Sequence, residues 1–277
     1  MTRFPHALRA IGRAAHAALV ASGGRLDALT GFDAAPYARA SGEVIWIGHG
    51  DVAMHPRAVV LEQPARVTHG DRLDAGALAP WHPLPLPAAA NAGVLRAGCE
   101  ALCSNLPRLG HPKGFATLLV GGAPDFPLDR CVSRVHALAC ALDAGRTESV
   151  CDAALPLLGL GPGLTPAGDD LVGAALFARR MMAAPPRETA EWARLATRLV
   201  DAARERSHPI AAALFRDLAT LASFAPLHRL AVGLAMQAAD DEILDAARAL
   251  VAIGHSSGWE MLAGFMIGVA GTSMLPQ

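Results

Sequence analysis

The chain has 277 residues, 52% of them hydrophobic and 18% charged, which excludes a disordered, collagenous or polar low-complexity protein and suffices for one large core or two small ones. Twenty-four Lys and Arg against twenty-five Asp and Glu give a formal charge of −1, and no basic run supplies the footprint that duplex nucleic acid requires. Lys113 is the sole lysine, so chemistry that needs a side-chain amine has a single candidate.

Along the chain, apolar and basic residues alternate at helical spacing from about Pro5 to Ser22. Short β-type runs follow at 43–48, 58–62, 66–68 and 116–121, set apart by Gly, Pro, Asp and His. Four prolines between 79 and 87 exclude a helix interior or a central strand there. From about Leu128 the period turns helical. In 189–205 Trp192, Leu195, Leu199 and Ala203 share one face, and Ser207-His-Pro209 stops that helix and caps the next. Asp240, Asp241 and Glu242 open a further helix with Ile243, Leu244, Ala247, Leu250 and Val251 on its apolar face and Gly254 as its stop. The fold class expected is α+β: a β-rich N-terminal part, 1–127, with most strands between 40 and 125, then a mainly helical C-terminal domain, 128–277.

Five cysteines, an odd count, and the absence of a signal-like apolar stretch after Met1 predict free thiols in a reducing, cytoplasmic setting. The uncharged stretch at 261–277 is interrupted by Gly264, Gly268 and Gly271 and falls short of the ~20 apolar residues a membrane span needs. A closely packed buried helix is expected there instead.

The information is concentrated in Gly159-Leu-Gly161-Pro-Gly163-Leu164-Thr165-Pro-Ala-Gly168-Asp169-Asp170. Glycines allow backbone N–H groups to approach a ligand, and the helix that follows adds free donors and the positive end of its dipole. Such a loop favours an anion. Two adjacent aspartates would repel one, by about 4 kcal/mol for unit charges roughly 4 Å apart at an effective dielectric near 20, unless a cation or a proton mediates. Asp169 and Asp170 are therefore the candidate catalytic residues and candidate Mg²⁺ ligands, with Gly161, Gly163, Leu164, Thr165 and Gly168 as anion-binding positions. A capping reading stands beside this one, with Thr165 as N-cap, Pro166 in the first turn and the aspartates complementing the dipole. The loop is neither a Walker loop nor a dinucleotide fingerprint, and no organic cofactor is expected.

Gly254-His255-Ser256-Ser257-Gly258-Trp-Glu260 repeats the order of glycine, acid and apolar helix. If the two helix starts converge, His255, Ser256 and Ser257 face the first loop. Otherwise a serine simply caps a core helix. The G-x-S-x-G pattern at 254–258 is not a nucleophile elbow, because the preceding segment reads as helix and the nineteen residues after Gly258 contain no histidine. Arg204 and Ser207, with Arg206 and His208, mark a helix boundary able to bind a carboxylate. His49, Asp51 and His55 have the chemistry of metal ligands but read as turn residues, and Lys113 reads as surface.

The two blocks at 159–170 and 254–264 resemble a bacterial family once of unknown function that includes the AllH subunit of oxamate carbamoyltransferase. Ala167 stands where that family commonly has Ser, and Glu260 where Asp is common. The resemblance implies a subunit of a multi-chain enzyme in purine-ureide or related nitrogen catabolism, converting oxalurate and phosphate to oxamate and carbamoyl phosphate or handling a related small anion. Partner subunits are implied; nucleic acid and membrane are not. The alternative is a structural subunit whose glycine-rich loop shapes an interface while other chains carry the chemistry.

Overall fold

The runs at 43–48 and 58–62 become the middle of a sheet. The computed structural model describes residues 6–29, 37–65, 67 and 70–276. It divides into two units, Met1–Pro83 with Ser223–Ala225, and Leu84–Ala222 with Pro226–Gln277. The first unit runs β1 (Leu8–Ile11), α1 (Arg13–Ala21), β2 (Asp27–Ala28), β3 (Tyr37–Ala40), β4 (Glu43–His49) and β5 (Ala58–Leu61). Sheet order is β1-β5-β4-β3-β2, with β4 and β5 parallel and the other neighbours antiparallel. All four residues of β5 are buried, as a strand flanked on both sides should be. Ile11, Ala15, Leu19, Leu26, Ile45, Ile47, Val59, Leu61 and Leu73 close one core beneath α1.

Three expectations need correction. The helical spacing at 5–22 conceals a strand: β1 pairs with β5 before α1 begins, because tertiary pairing overrides a short periodic signal (Pro5 itself lies outside the described residues). The run at 116–121 is 3₁₀ helix, Gly114–Val120, rather than strand. It buries Phe115, Ala116, Leu118 and Leu119, and a short run buried on several sides carries no period that separates strand from helix. The described strands accordingly lie between residues 8 and 61 rather than mostly between 40 and 125. Of the run at 66–68, Arg66 and Thr68 lie outside the described residues.

The rest of the chain is helical: α2 (Ala92–Ser104), α3 (Val132–Ala144), α4 (Thr147–Ala154), α5 (Ala167–Met182), α6 (Pro186–Arg206), α7 (Pro209–Ala219), α8 (Ala225–Ala235), α9 (Asp240–Val251) and α10 (Ser257–Ala270). The protein is thus α+β, with the helices in its C-terminal part. α6 buries the predicted stripe of Trp192, Leu195, Leu199 and Ala203, and α9 buries Leu244, Ala247 and Leu250. All five cysteines are free, and burial pushes the Cys99 thiol up to about 12. No helix of the described residues is long and apolar enough to cross a membrane.

Helices α5 and α10 form the centre of the second unit. Every residue of α5 from Ala167 to Ala178 is buried, as is every residue of α10 from Gly258 to Ala270. A Cβ on Gly264 would collide with the Leu171 carbonyl, and one on Gly268 would lie 2.7 Å from the Ala175 carbonyl oxygen. Contacts advance by four residues on both helices in the same sense, so the two run parallel and begin at the same end.

Gly264→Ala should therefore lower stability in urea unfolding by about 1–3 kcal/mol, as overpacking against an unyielding backbone does. Gly233→Ala, in α8, meets only ordinary contacts at 3.5 and 3.7 Å and should be neutral or stabilising by up to about 1 kcal/mol through helix propensity.

Candidate functional site

The parallel start of α5 and α10 brings the two glycine loops together. Thr165 Oγ1 and Ser257 Oγ lie 3.0 Å apart. Each loop meets its helix through a glycine that admits no side chain: a Cβ on Gly168 would strike the Leu157 carbonyl, and one on Gly258 the Leu250 carbonyl. The matching backbone bonds run from Gly168 N to Leu160 O at 2.9 Å and from Gly258 N to Ile253 O at 3.0 Å.

Helix α5 begins one residue later than the capping reading requires. Pro166 occupies the N-cap position in extended backbone, with no side-chain cap. Thr165 is thereby released to face Ser257. Ser256 is the N-cap of α10 and likewise makes no side-chain cap bond. Nor does Ser207 cap α7. His208 does, its Nδ1 accepting from Ile210 N at 3.3 Å, while Ser207 turns to Asp169.

An account of the amides locates the donors. In the first turn of α5, Gly168 N is spent on Leu160 O, and Asp169 N and Asp170 N on Pro166 O. The helix N-terminus thus has little left to offer. Gly159, Gly161 and Gly163 adopt φ of +76°, +119° and +91°, a region that favours glycine. Among the hydrogen bonds of the described residues, none is donated by the amides of Gly161, Gly163, Leu164 or Thr165. The loop itself is the reservoir of open donors.

Beneath it lie three buried carboxyl groups. Asp169 accepts from Ser207 Oγ at 2.8 and 2.9 Å and from Gly159 N at 3.3 Å. Burial pushes it up to about 6, against the pull of those two donors. Asp170 is pushed up to about 8 by burial, with the Ser257 hydroxyl bond lowering it and the neighbouring Asp169 raising it. Its Oδ2 is buried without a hydrogen-bond partner. Glu260, fully buried, accepts from Phe115 N at 3.0 and 3.2 Å. Burial holds it well above the usual carboxylate range, opposed by the Phe115 amide and reinforced by Asp170. At neutral pH Asp170 keeps its proton. Thr165, Ser257 and Ser207, whose hydroxyls line the cluster, are half-buried.

The remaining residues sort by place. Arg204 is not part of the cluster: it pairs with Asp201 at 2.8 Å on the exposed side of α6. His255 is exposed, and its carbonyl accepts from Lys113 Nζ at 2.9 Å. Leu164 is half-buried. His55 is buried, accepts from Arg57 N at 3.1 Å and packs on Phe224, and no group of three potential metal ligands exists among the described residues. Sequence reasoning left Glu260, Lys113 and the Phe115 amide out of the site. The available signal was the repeated glycine-to-acid order for Glu260 and the unique lysine preceding a glycine at 113–114.

The family model described as oxamate carbamoyltransferase subunit AllH matches residues 157–269, a stretch that contains both loops. Comparison with curated proteins and with solved structures returns no match.

The raised carboxyl groups have a consequence for stability. Folded Asp170 holds its proton to about pH 8, whereas the ordinary value is 3.8, so the folded state binds more protons across that window and stability falls as pH rises through it. Asp170→Asn mimics the protonated side chain. In chelator-containing buffer its advantage over wild type in thermal unfolding should widen from about pH 5 to about pH 8, reaching on the order of a few kcal/mol. A gap that does not change with pH would mean that Asp170 stays ionised in the fold.

Proposed function

We propose, from the match of residues 157–269 to the AllH family model, that this chain is the anion-binding subunit of a carbamoyltransferase-type enzyme of nitrogen catabolism. The reaction proposed is oxalurate plus phosphate to oxamate plus carbamoyl phosphate, or its counterpart on a related small anion. The observation that carries the reading is the set of open amides at Gly161, Gly163, Leu164 and Thr165, adjoining the Thr165 and Ser257 hydroxyls. Neighbouring amides without partners, three of them consecutive at 163–165, are what an oxyanion requires.

The chemistry asked of the site is modest. A phosphate oxygen attacks the carbamoyl carbon, the carbon–nitrogen bond to the oxamate unit breaks, and the departing nitrogen takes a proton. Negative charge gathers on the carbamoyl oxygen in between, and fixed donors stabilise it without reorganising. Asp170 acts through Ser257. When Asp170 is protonated it donates to the Ser257 oxygen and frees the Ser257 hydrogen to point outward. When ionised it draws that hydrogen inward and the site loses a donor. Asp169 fixes the Ser207 hydroxyl in the same manner.

A second reading of the acids is favoured by the unpartnered Oδ2 of Asp170. Asp169 and Asp170 would hold Mg²⁺ together with oxygens of the substrate, and the cation would supply charge neutralisation. No organic cofactor enters either reading. Because the family is named for a subunit, further chains complete the enzyme in this proposal. The structural alternative assigns the loop to an interface with those chains.

Calorimetric titration of the chain, alone and coexpressed with its partner subunits, separates these readings, with inorganic phosphate, oxamate and carbamoyl phosphate as ligands. Ser257→Ala should weaken binding at least about tenfold, the scale of a hydrogen bond to a charged group. In chelator, wild-type affinity should fall as pH rises past about 8, where Asp170 ionises. Mg²⁺-dependent affinity that Asp170→Asn abolishes would select the metal reading. No binding of these anions by chain or complex, with Ser257→Ala impairing assembly alone, would leave the loop as an interface.

A further inference from the structure

We infer that Lys113, held against the second loop, is the cationic substrate-binding residue of the loop site. This rests on the anion-binding reading above. Lys113 is the only lysine among 277 residues, and contacts at its Nζ and at the two residues after it hold it beside the second loop. Its Nζ donates to His255 O at 2.9 Å, two residues before the serine that meets Thr165. The next residue, Gly114, has φ +56° and leaves no room for a side chain, since a Cβ there would collide with Glu260 Oε1. The one after, Phe115, is fully buried and its amide is bound by both carboxylate oxygens of Glu260. Glu260 therefore acts as an anchor that draws residues 113–115 against the start of α10.

The anchor does not consume the charge. An ammonium group has three donors, and the carbonyl of His255 takes one. Among the described residues no carboxylate pairs with Lys113, and its side chain is exposed. Amides and hydroxyls can orient an anion but do not offset the charge of Asp169 beneath them. A full positive charge held at the rim does, and it also draws the anion in. Lysine suits this place because its charge is compact and its stem flexible enough to follow the ligand, whereas the rigid arginine fork favours planar partners.

The unique ε-amine makes the test direct. The whole chain, or the complex where assembly is required for binding, is treated with an amine-reactive acylating reagent, and modification is mapped by mass spectrometry. Saturating phosphate or oxamate should slow acylation of Lys113 at least fivefold. Calorimetry on Lys113→Met should show affinity for the same anion reduced about tenfold, equivalent to ~1.4 kcal/mol, with an unaltered melting temperature. Lys113→Arg should recover most of that loss, and added salt should shrink the gap between wild type and Lys113→Met. If the anion binds wild type and depends on Ser257 but does not protect Lys113, this inference fails and the loop reading stands. If neither anion binds wild type, both fall.

Discussion

Two helices that run in the same direction and touch through their backbones put two positive ends side by side. That constraint organises the second unit. Contact at Gly264 and Gly268 brings α10 against the carbonyls of α5, and the parallel sense follows from the matched four-residue steps. Adjacent N-termini repel one another's partial charges, and Asp169, the acid nearest its ordinary range, carries the negative charge that relieves this. Asp169 and Asp170 occupy the first turn of α5, and Glu260 that of α10. The same geometry explains why each helix is entered through a glycine, since neither Gly168 nor Gly258 has room for a Cβ. Loops, acids and hydroxyl contact are consequences of one packing choice.

Burying three carboxyl groups in one place opposes folding unless they are neutralised or well hydrogen-bonded. The structure does this unevenly. Asp169 has two donors, the Ser207 hydroxyl shared between its oxygens and the Gly159 amide, and stays nearest to the ordinary carboxylate range. Asp170 has the Ser257 bond and one oxygen without a partner, and keeps its proton into the mildly alkaline range. A group held in this condition is poised to exchange a proton or accept a cation, which is the condition functional carboxylates are found in. Stability given up at such a cluster is a recurrent feature of working sites.

The loop site reaches beyond the segment that carries the family match. Residues 157–269 include both glycine loops and α5 to α10, but Lys113 and Phe115 lie outside them. Those residues arrive on a short 3₁₀ helix whose burial is apolar and whose position depends on Glu260. A loop of open amides, a pair of hydroxyls and a lysine thus come from three separate stretches of chain, each attached to the same helix pair.

Local sequence determined much of this. The period of α6 and α9, the α+β class and the exceptional character of 159–170 were legible because each depends on neighbours within a few residues. The repeated glycine-to-acid order even suggested that the two loops belong together. What sequence could not determine depended on partners far along the chain. β1 exists because β5 is there to pair with it, and a helical spacing at 5–22 could not reveal that. Residues 116–120 are helix rather than strand, and their burial on several sides erases the period that distinguishes the two. Ser207 is not the cap because α7 starts at Pro209, which puts His208 at the N-cap position, and the Ser207 hydroxyl donates instead to Asp169, thirty-eight residues away. Lys113 reads as an isolated surface charge until Glu260, 147 positions later, fixes the amide of Phe115 and brings the lysine to the loops. Periodicity and turn chemistry are local, whereas the satisfaction of a buried polar group is settled only by whatever the fold places within hydrogen-bond reach.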